Sequence, residues 1–462
     1  MEQHIIDIEE TEALADEATC IFRVRKGLRN ANRMAYTPIL ISIGPYHRGH
    51  PELLDMEKRK EHYLTLLLER NNNLCKEDYL DSMKKLERKA RKYYADPVDC
   101  LDSDEFVKMM LYDACFVVTF LIGLFEFCVL EDKHQQSHVG DEVKASWKRI
   151  QICNDLMLLE NQLPFFVISE FYDMSCGVGV AQNPNRNHPD PISITSSPRP
   201  TLTQLSMFLI IQKLPGRIDF SQIDFANTSV FESKHFLDLV HNVCRPFSSR
   251  DESNNHQNKN WRTCFKMPCV TKLQEAGVKF EAVEDDNDGL NLSMFDILFE
   301  HGHFKIPKFQ VSDLTETFLR NIIAYEQHSS DDEPKYFTDY TYFMDQLINS
   351  KEGATQLNDL AVLENLLGDD EEVALMFNNL SKGTIISPQF YYAEQCREVN
   401  AHCKRWQNRV VATIAPLKRD YFTNIWVTIA TIAAAFLLLL TLIQTIIALI
   451  TILTSSSSPS RH

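Results

Sequence analysis

The chain has 462 residues, 44% hydrophobic and 24% charged, the balance of a folded protein long enough for two or three ordinary domains or one large one. Acids outnumber bases by 64 to 47, a formal net charge of −17. A surface of that sign repels phosphate backbones and argues against nucleic acid as a general partner. Glycine is scarce at 14 residues, and no GxGxxG, GxxxxGK[ST] or GxSxG occurs, which weighs against dinucleotide, P-loop and serine-hydrolase chemistry.

Residues 1–20 are an acidic segment without the basic and apolar regions of a signal peptide. A mainly helical domain is expected over 21–420. Near its start, "SIGPYHRGH" contains His47-Arg48-Gly49-His50, the HxGH box with which adenylyl- and cytidylyl-transferases hold phosphates. "TPILISIG" offers one strand ahead of the box. No alternation of strands and helices follows to build a doubly wound sheet, and no second basic signature appears downstream. The favoured reading is a tight Gly44-Pro45 turn, with Tyr46 and His47 anchoring a loop to a helix that opens at Pro51. Nucleotide handling by His47 and His50 is the alternative.

"HPELLDMEKRKEHYLTLLLER" predicts an amphipathic helix. "SDEFVKMMLYDACFVVTFLIGLFEF" predicts another, capped by Ser103 or Asp104; its uncharged run over 114–125 is too short to span a bilayer and reads as core. "WKRIQICNDLMLLENQL" predicts a helix that runs on until Pro164 breaks it. Leu156, Leu159 and Leu163 would then share a buried face. Glu160, Asn161 and Gln162 would stand at the helix end, where the two amides can donate to its last carbonyls. A buried Glu160 would need a cationic or N–H partner. Gly44, Pro45, Tyr46, His47, Glu160, Asn161, Gln162, Leu163 and Pro164 are therefore taken as structural. No catalytic, cofactor-binding or metal-binding residue is assigned.

Polar loops follow at 176–200 and 245–260, the second a possible divider between subdomains 21–245 and 261–420. "GVKFEAV", "LNLSMFDILF" and "HFKIPKFQV" read as short strands. Glu284, Asp286, Asp288 and Gly289 mimic a calcium loop, but Phe295 stands where the bidentate glutamate is needed, so an acidic turn is expected. His301-Gly302-His303 is read as a turn. The twelve cysteines form no zinc pattern and read as reduced core thiols. Sequons at Asn227, Asn291 and Asn379 matter only if the domain faces a secretory lumen. Helices resume at "LTETFLRNIIAYEQ", "YFMDQLIN" and "YYAEQCREVNAHCKRWQNRVVATIAPL". The expected class is mainly α, a large helical domain with a small β element.

Residues 425–453 contain no charged side chain and exceed the ~20 residues that a spanning helix needs. Trp426 suits one interface, Leu440 belongs to the apolar run, and Gln444 is its one strongly polar interruption. Lys404, Arg405, Arg409, Lys418 and Arg419 precede the span, and Arg461 alone follows in the short tail 454–462. The positive-inside bias then predicts a tail-anchored protein with its bulk in the cytosol, on the plasma membrane or an endomembrane. The expected partners are the lipid bilayer and an unidentified protein, with no metal and no cofactor.

"IFRVRKGLRNANRMAYTPILISIGPYHRG" (21–49), "FVKMMLYDACFVV", "NDLMLLENQLPFFV", "LQEAGVKF", "FLRNIIAYEQ", "YFMDQLI" and "YFTNIW" leading to "LTLIQT" occur in that order. Together they resemble the plant-specific domain of unknown function 247 proteins over nearly the whole chain. Arg25 and Ile425 stand where the family usually has proline. The resemblance implies a C-terminal membrane anchor, a plant source and no established chemistry. Some grass relatives are linked to pollen self-incompatibility, which implies recognition or signalling without assigning it to any residue.

Overall fold

Apolar side chains at three- and four-residue spacing through most of the chain produce helices, which make up 63% of the computed structural model. It describes residues 19–70, 74–129, 140–176, 200–211, 233–244, 266–283, 293–328, 333–405 and 425–455.

The first half packs α1 (Lys26–Ala31), α2 (Leu54–Arg70), α3 (Lys76–Arg91), α4 (Ser103–Val129), α5 (Asp141–Lys144), α6 (Ser146–Asp155), α7 (Phe165–Cys176), α8 (Leu202–Ile211) and α9 (Phe236–Cys244). The centre is α4, which touches α2, α3, α7 and α8. Five consecutive residues, Ala114 to Val118, are at most 1% exposed, so the middle of this helix is apolar all round because it is buried all round. By length and composition it could cross a membrane, but 72% of the relevant stretch lies inside the protein, which makes it the core helix. Its cap is Asp102, whose carboxylate accepts the Glu105 N–H at 2.8 Å. The expected cap was Ser103 or Asp104; Ser103 instead donates its hydroxyl to Glu87 at 2.6 Å.

The helix expected to reach Pro164 ends earlier. α6 stops at Asp155, and the chain turns through Leu156–Leu163 before α7 begins after Pro164. Local side chains compete with the helical ladder here. The Asn161 amide donates to the Asp155 carbonyl, and the Gln162 amide donates to the carbonyls of Leu156 and Leu158. Leu156, Leu159 and Leu163 are all fully buried, though not as one helical face.

The second half opens with α10 (Val270–Glu275) and a three-stranded sheet in the order β1 (Lys279–Val283), β3 (His303–Pro307), β2 (Leu298–Glu300). β1 runs parallel to β3, and β2 antiparallel to it. His301 and Gly302 join β2 to β3 with φ of 50° and 85°, the positive values that a two-residue hairpin turn requires. "HFKIPKFQV" divides at Lys308, and its second piece, β4 (Phe309–Val311), pairs in parallel with β5 (Leu363–Asn365). α11 (Thr315–Glu326), α12 (Tyr336–Ile348), α13 (Lys351–Asp359), α14 (Asp370–Leu380) and α15 (Ala393–Lys404) surround these strands. Buried side chains from Cys20 to Val399 belong to one continuous apolar cluster. The "EDDNDG" stretch and Asn227 and Asn291 lie outside the described residues, while Asn379 sits in α14.

α16 (Ile425–Ser455) is the exception to burial. Its apolar stretch over Ile429–Thr451 is long enough to cross a membrane, and none of it is buried in the protein.

Candidate functional site

Residues Ile39–Gly44 run through the protein with no partner strand, contrary to the strand "TPILISIG" suggested. Backbone groups buried in this way need other partners. Side chains supply them. The Asp155 carboxylate accepts the N–H groups of Ile39, Leu40 and Ile41 at 3.1, 2.7 and 2.9 Å. Asn161 accepts the Ile43 N–H at 2.7 Å and donates to the Ile41 carbonyl at 3.0 Å. Lys60 donates to the Ser42 carbonyl, and Asp113 accepts the Gly44 N–H at 2.8 Å. A second buried asparagine works alike: Asn321 accepts the Leu159 N–H and donates to the carbonyls of Ala35 and Thr317.

At the end of this segment the chain bends at Gly44-Pro45. Gly44 has φ +74°, and a Cβ there would stand 2.5 Å from the Gln162 carbonyl oxygen. Tyr94 donates to that same carbonyl at 3.0 Å. Tyr46 donates to the Ile21 carbonyl, accepts the Asp96 N–H, and lies under the Arg23 guanidinium at 4.4 Å.

Glu160 is the hub that joins this turn to the N-terminal segment. It is 3% exposed, accepts the Val24 N–H at 2.6 Å and pairs with Arg29. Its second oxygen faces His47 Nε2 at 3.5 Å, outside hydrogen-bonding geometry. Burial, and after it the charges of Arg29, Arg23 and His50, push the His47 pKa down to about 4. The ring is therefore neutral at physiological pH, and the contact is not an ion pair.

The four letters of the box do not converge. His47 turns inward to Glu160, Arg48 pairs with Glu57 at 3.3 Å, Gly49 has φ +80°, and His50 is exposed. The sheet on which such a box cradles phosphate is not present among the described residues. His301 and Gly302 form the hairpin turn, with Gly302 against the His402 ring and His303 bonded to Glu281 at 2.6 Å. Among the described residues no three His, Cys, Asp or Glu side chains are placed to share a metal ion. Leu163 and Pro164 are buried beside the hub; Trp426, Leu440 and Gln444 are exposed on α16.

A second buried cluster, absent from the sequence reading, lies along α9. His235 donates through Nε2 to the Cys20 carbonyl, because its Nδ1 accepts the Asp238 N–H. Burial holds its pKa at about 4. Asp238 also accepts from Tyr325 at 2.6 Å. Glu326, fully buried, caps α12 from outside by accepting the N–H groups of Phe337 and Thr338, and it meets His241 Nε2 at 3.1 Å. Spacing of three along the chain (235, 238, 241) was the available signal. It was unreadable without the partners on α11.

Every buried carboxylate described here thus accepts from a backbone N–H, a cation or both. This arrangement fixes chain positions.

Known proteins that share the pattern decide the family. The family described as domain of unknown function 247, a plant protein of unknown function, matches residues 21–440. The chain belongs to that family. The match takes in both hubs and runs into α16. The UPF0481 protein At3g47200 of Arabidopsis thaliana is 26% identical, over 96% of this chain and 88% of its own length. The putative UPF0481 protein At3g02645 of the same plant is 24% identical, over 96% and 92%. No solved structure matches the chain. In this chain the stretches "GPYH" and "LENQLPFF" meet where His47 faces Glu160 and Gly44 lies against the Gln162 carbonyl.

Proposed function

We propose that the protein is a non-enzymatic recognition or signalling module, held on a membrane by α16 with its bulk in the cytosol. The observation that carries the reading is the contrast between two apolar helices of spanning length. α4 is mostly buried in the domain, whereas α16 has no burial there and no charged side chain, so the bilayer is the solvent that suits it. Basic residues Lys404, Arg405, Arg409, Lys418 and Arg419 ahead of α16 favour the cytosolic orientation. The commitment of Asp113, Asp155 and Glu160 to backbone groups supports a scaffold that presents a surface to a protein partner.

Protease treatment of sealed microsomes carrying the full chain tests the orientation: the large domain is expected to be digested. Its protection, or glycans on Asn227 or Asn291, would reverse the topology. Titration calorimetry with Mg-ATP and Mg-CTP tests the chemistry. No heat is expected; binding that disappears in His47→Ala/His50→Ala would establish nucleotide handling instead.

A further inference from the structure

Trp147, in the first turn of α6, is 62% exposed. Ile150, one turn further on, is 42% exposed. Trp147 and Ile150 stand three residues apart on α6 and so share one side of that helix. A tryptophan left in water forgoes a large apolar area, and exposed apolar groups set together mark a contact surface.

The stretch around it is basic. Residues 143–154 hold three bases and no acid, in a chain of net charge −17. Lys148 Nζ lies 5.8 Å from the centre of the Trp147 ring, and Lys144 is exposed. Arg149 is fixed by the Val143 carbonyl and the Phe127 ring. Of the two acids just ahead, Glu142 is buried on Arg59 and Tyr63, which leaves only Asp141 exposed.

We infer that this face docks on an anionic lipid surface, the leaflet of the bilayer that holds α16. The inference rests on the reading of α16 as the anchor. Trp147 would sit among the head groups, where an indole is favoured, Ile150 would point toward the acyl boundary, and Lys144 and Lys148 would meet lipid phosphates or carboxylates. The anchor makes such a contact reachable. Residues 405–424 extend at most roughly 70 Å, at about 3.5 Å per residue, so the domain stays near the bilayer and a weak surface contact gains a high effective concentration.

Fluorescence quenching by brominated lipids tests the idea on the full chain in vesicles. The protein has four tryptophans, so W261F/W406F/W426F leaves Trp147 alone, and W147F/W261F/W406F leaves Trp426 alone. Trp426 is expected to be quenched in all vesicles. Trp147 is expected to be quenched several-fold more with phosphatidylserine present than in pure phosphatidylcholine, with the difference lost at high salt and in Lys144→Glu/Lys148→Glu. Lys144 is exposed and Lys148 half-buried, and an unchanged circular dichroism spectrum confirms that the double variant folds. Trp147 unquenched beside a quenched Trp426 overturns the docking alone. If Trp147 is shielded from acrylamide yet untouched by brominated lipid, a protein covers the face and the docking is again overturned. Trp426 unquenched overturns the anchor itself.

Discussion

Lys60 on α2 and Asp113 on α4 meet at 2.6 Å with each side chain only 1% exposed, and both also bind the segment between Ser42 and Gly44. Burial pushes the Asp113 carboxyl up to about 6 despite the lowering effect of Lys60, so at neutral pH it is ionised and dependent on its partner. The pair is a junction between two helices and a loop.

Lys60→Met is expected to cost about 3–5 kcal/mol in urea denaturation, because it leaves a buried carboxylate without its counter-ion. Lys60→Met/Asp113→Asn should cost clearly less than the sum of the two single changes. A coupling energy near zero would show that the two groups act independently.

Asn161→Leu removes the partners of the Ile43 N–H and of the carbonyls of Ile41 and Asp155. Each stranded buried group costs about 1–3 kcal/mol, so the variant should be among the least stable single substitutions. Leu159→Ala tests the apolar side of the same turn. Its fully buried position predicts a loss of ~2–5 kcal/mol through the cavity left behind. An unchanged melting temperature in either variant would remove the structural role assigned to this stretch.

Two glycines separate backbone strain from collision. Gly44 and Gly49 both have positive φ, but an added Cβ meets the Gln162 carbonyl at 2.5 Å in the first case and nothing within 4 Å in the second. Gly49→Ala should cost on the order of 1 kcal/mol, the left-handed penalty alone. Gly44→Ala should cost several times more. Equal losses would mean that the turn yields freely at Gln162.

His235 predicts a pH dependence. Its folded pKa of about 4 lies below the ~6.5 of an unfolded histidine, so the unfolded chain binds the extra proton between those values. The contribution is present above pH 6.5 and is lost as pH falls toward 4, at up to ~1.4 kcal/mol per pH unit. His47 and His328, also held near 4 by burial, act in the same direction. His235→Gln should reduce proton uptake on unfolding by about one in this window, measured from the slope of stability against pH. An unaltered slope would count against a neutral, buried His235.

Much of this was legible in the sequence. The periodicity of α2 and α4, the bend at Gly44-Pro45, the apolar α16, and the need of a buried Glu160 for a cation or an N–H are all local inferences. The cap at Asp102 and the end of α6 at Asp155 were misread by one or two residues and by two turns. In both places a polar side chain bonded elsewhere: Ser103 to Glu87, and Asn161 to Ile43 across 118 positions of sequence. Periodicity reports which face is apolar, not whether a carbonyl has found a better donor. The α9 cluster was hidden because His235 and Asp238 acquire meaning only beside Cys20 and Tyr325.

The unpaired segment Ile39–Gly44 carries a kinetic consequence. Amides in neither helix nor strand ordinarily exchange their hydrogens with solvent through small local openings. Those of Ile41, Ile43 and Gly44 are held by acceptors on α4, at the end of α6 and in the turn beyond it. Deuterium can reach them only when those elements part, so they belong with the slowest-exchanging amides of the molecule. The same dependence orders the folding reaction. The segment has nothing to bond to until α2, α4 and the Asp155–Gln162 turn are assembled, so a stretch translated early completes its bonding late.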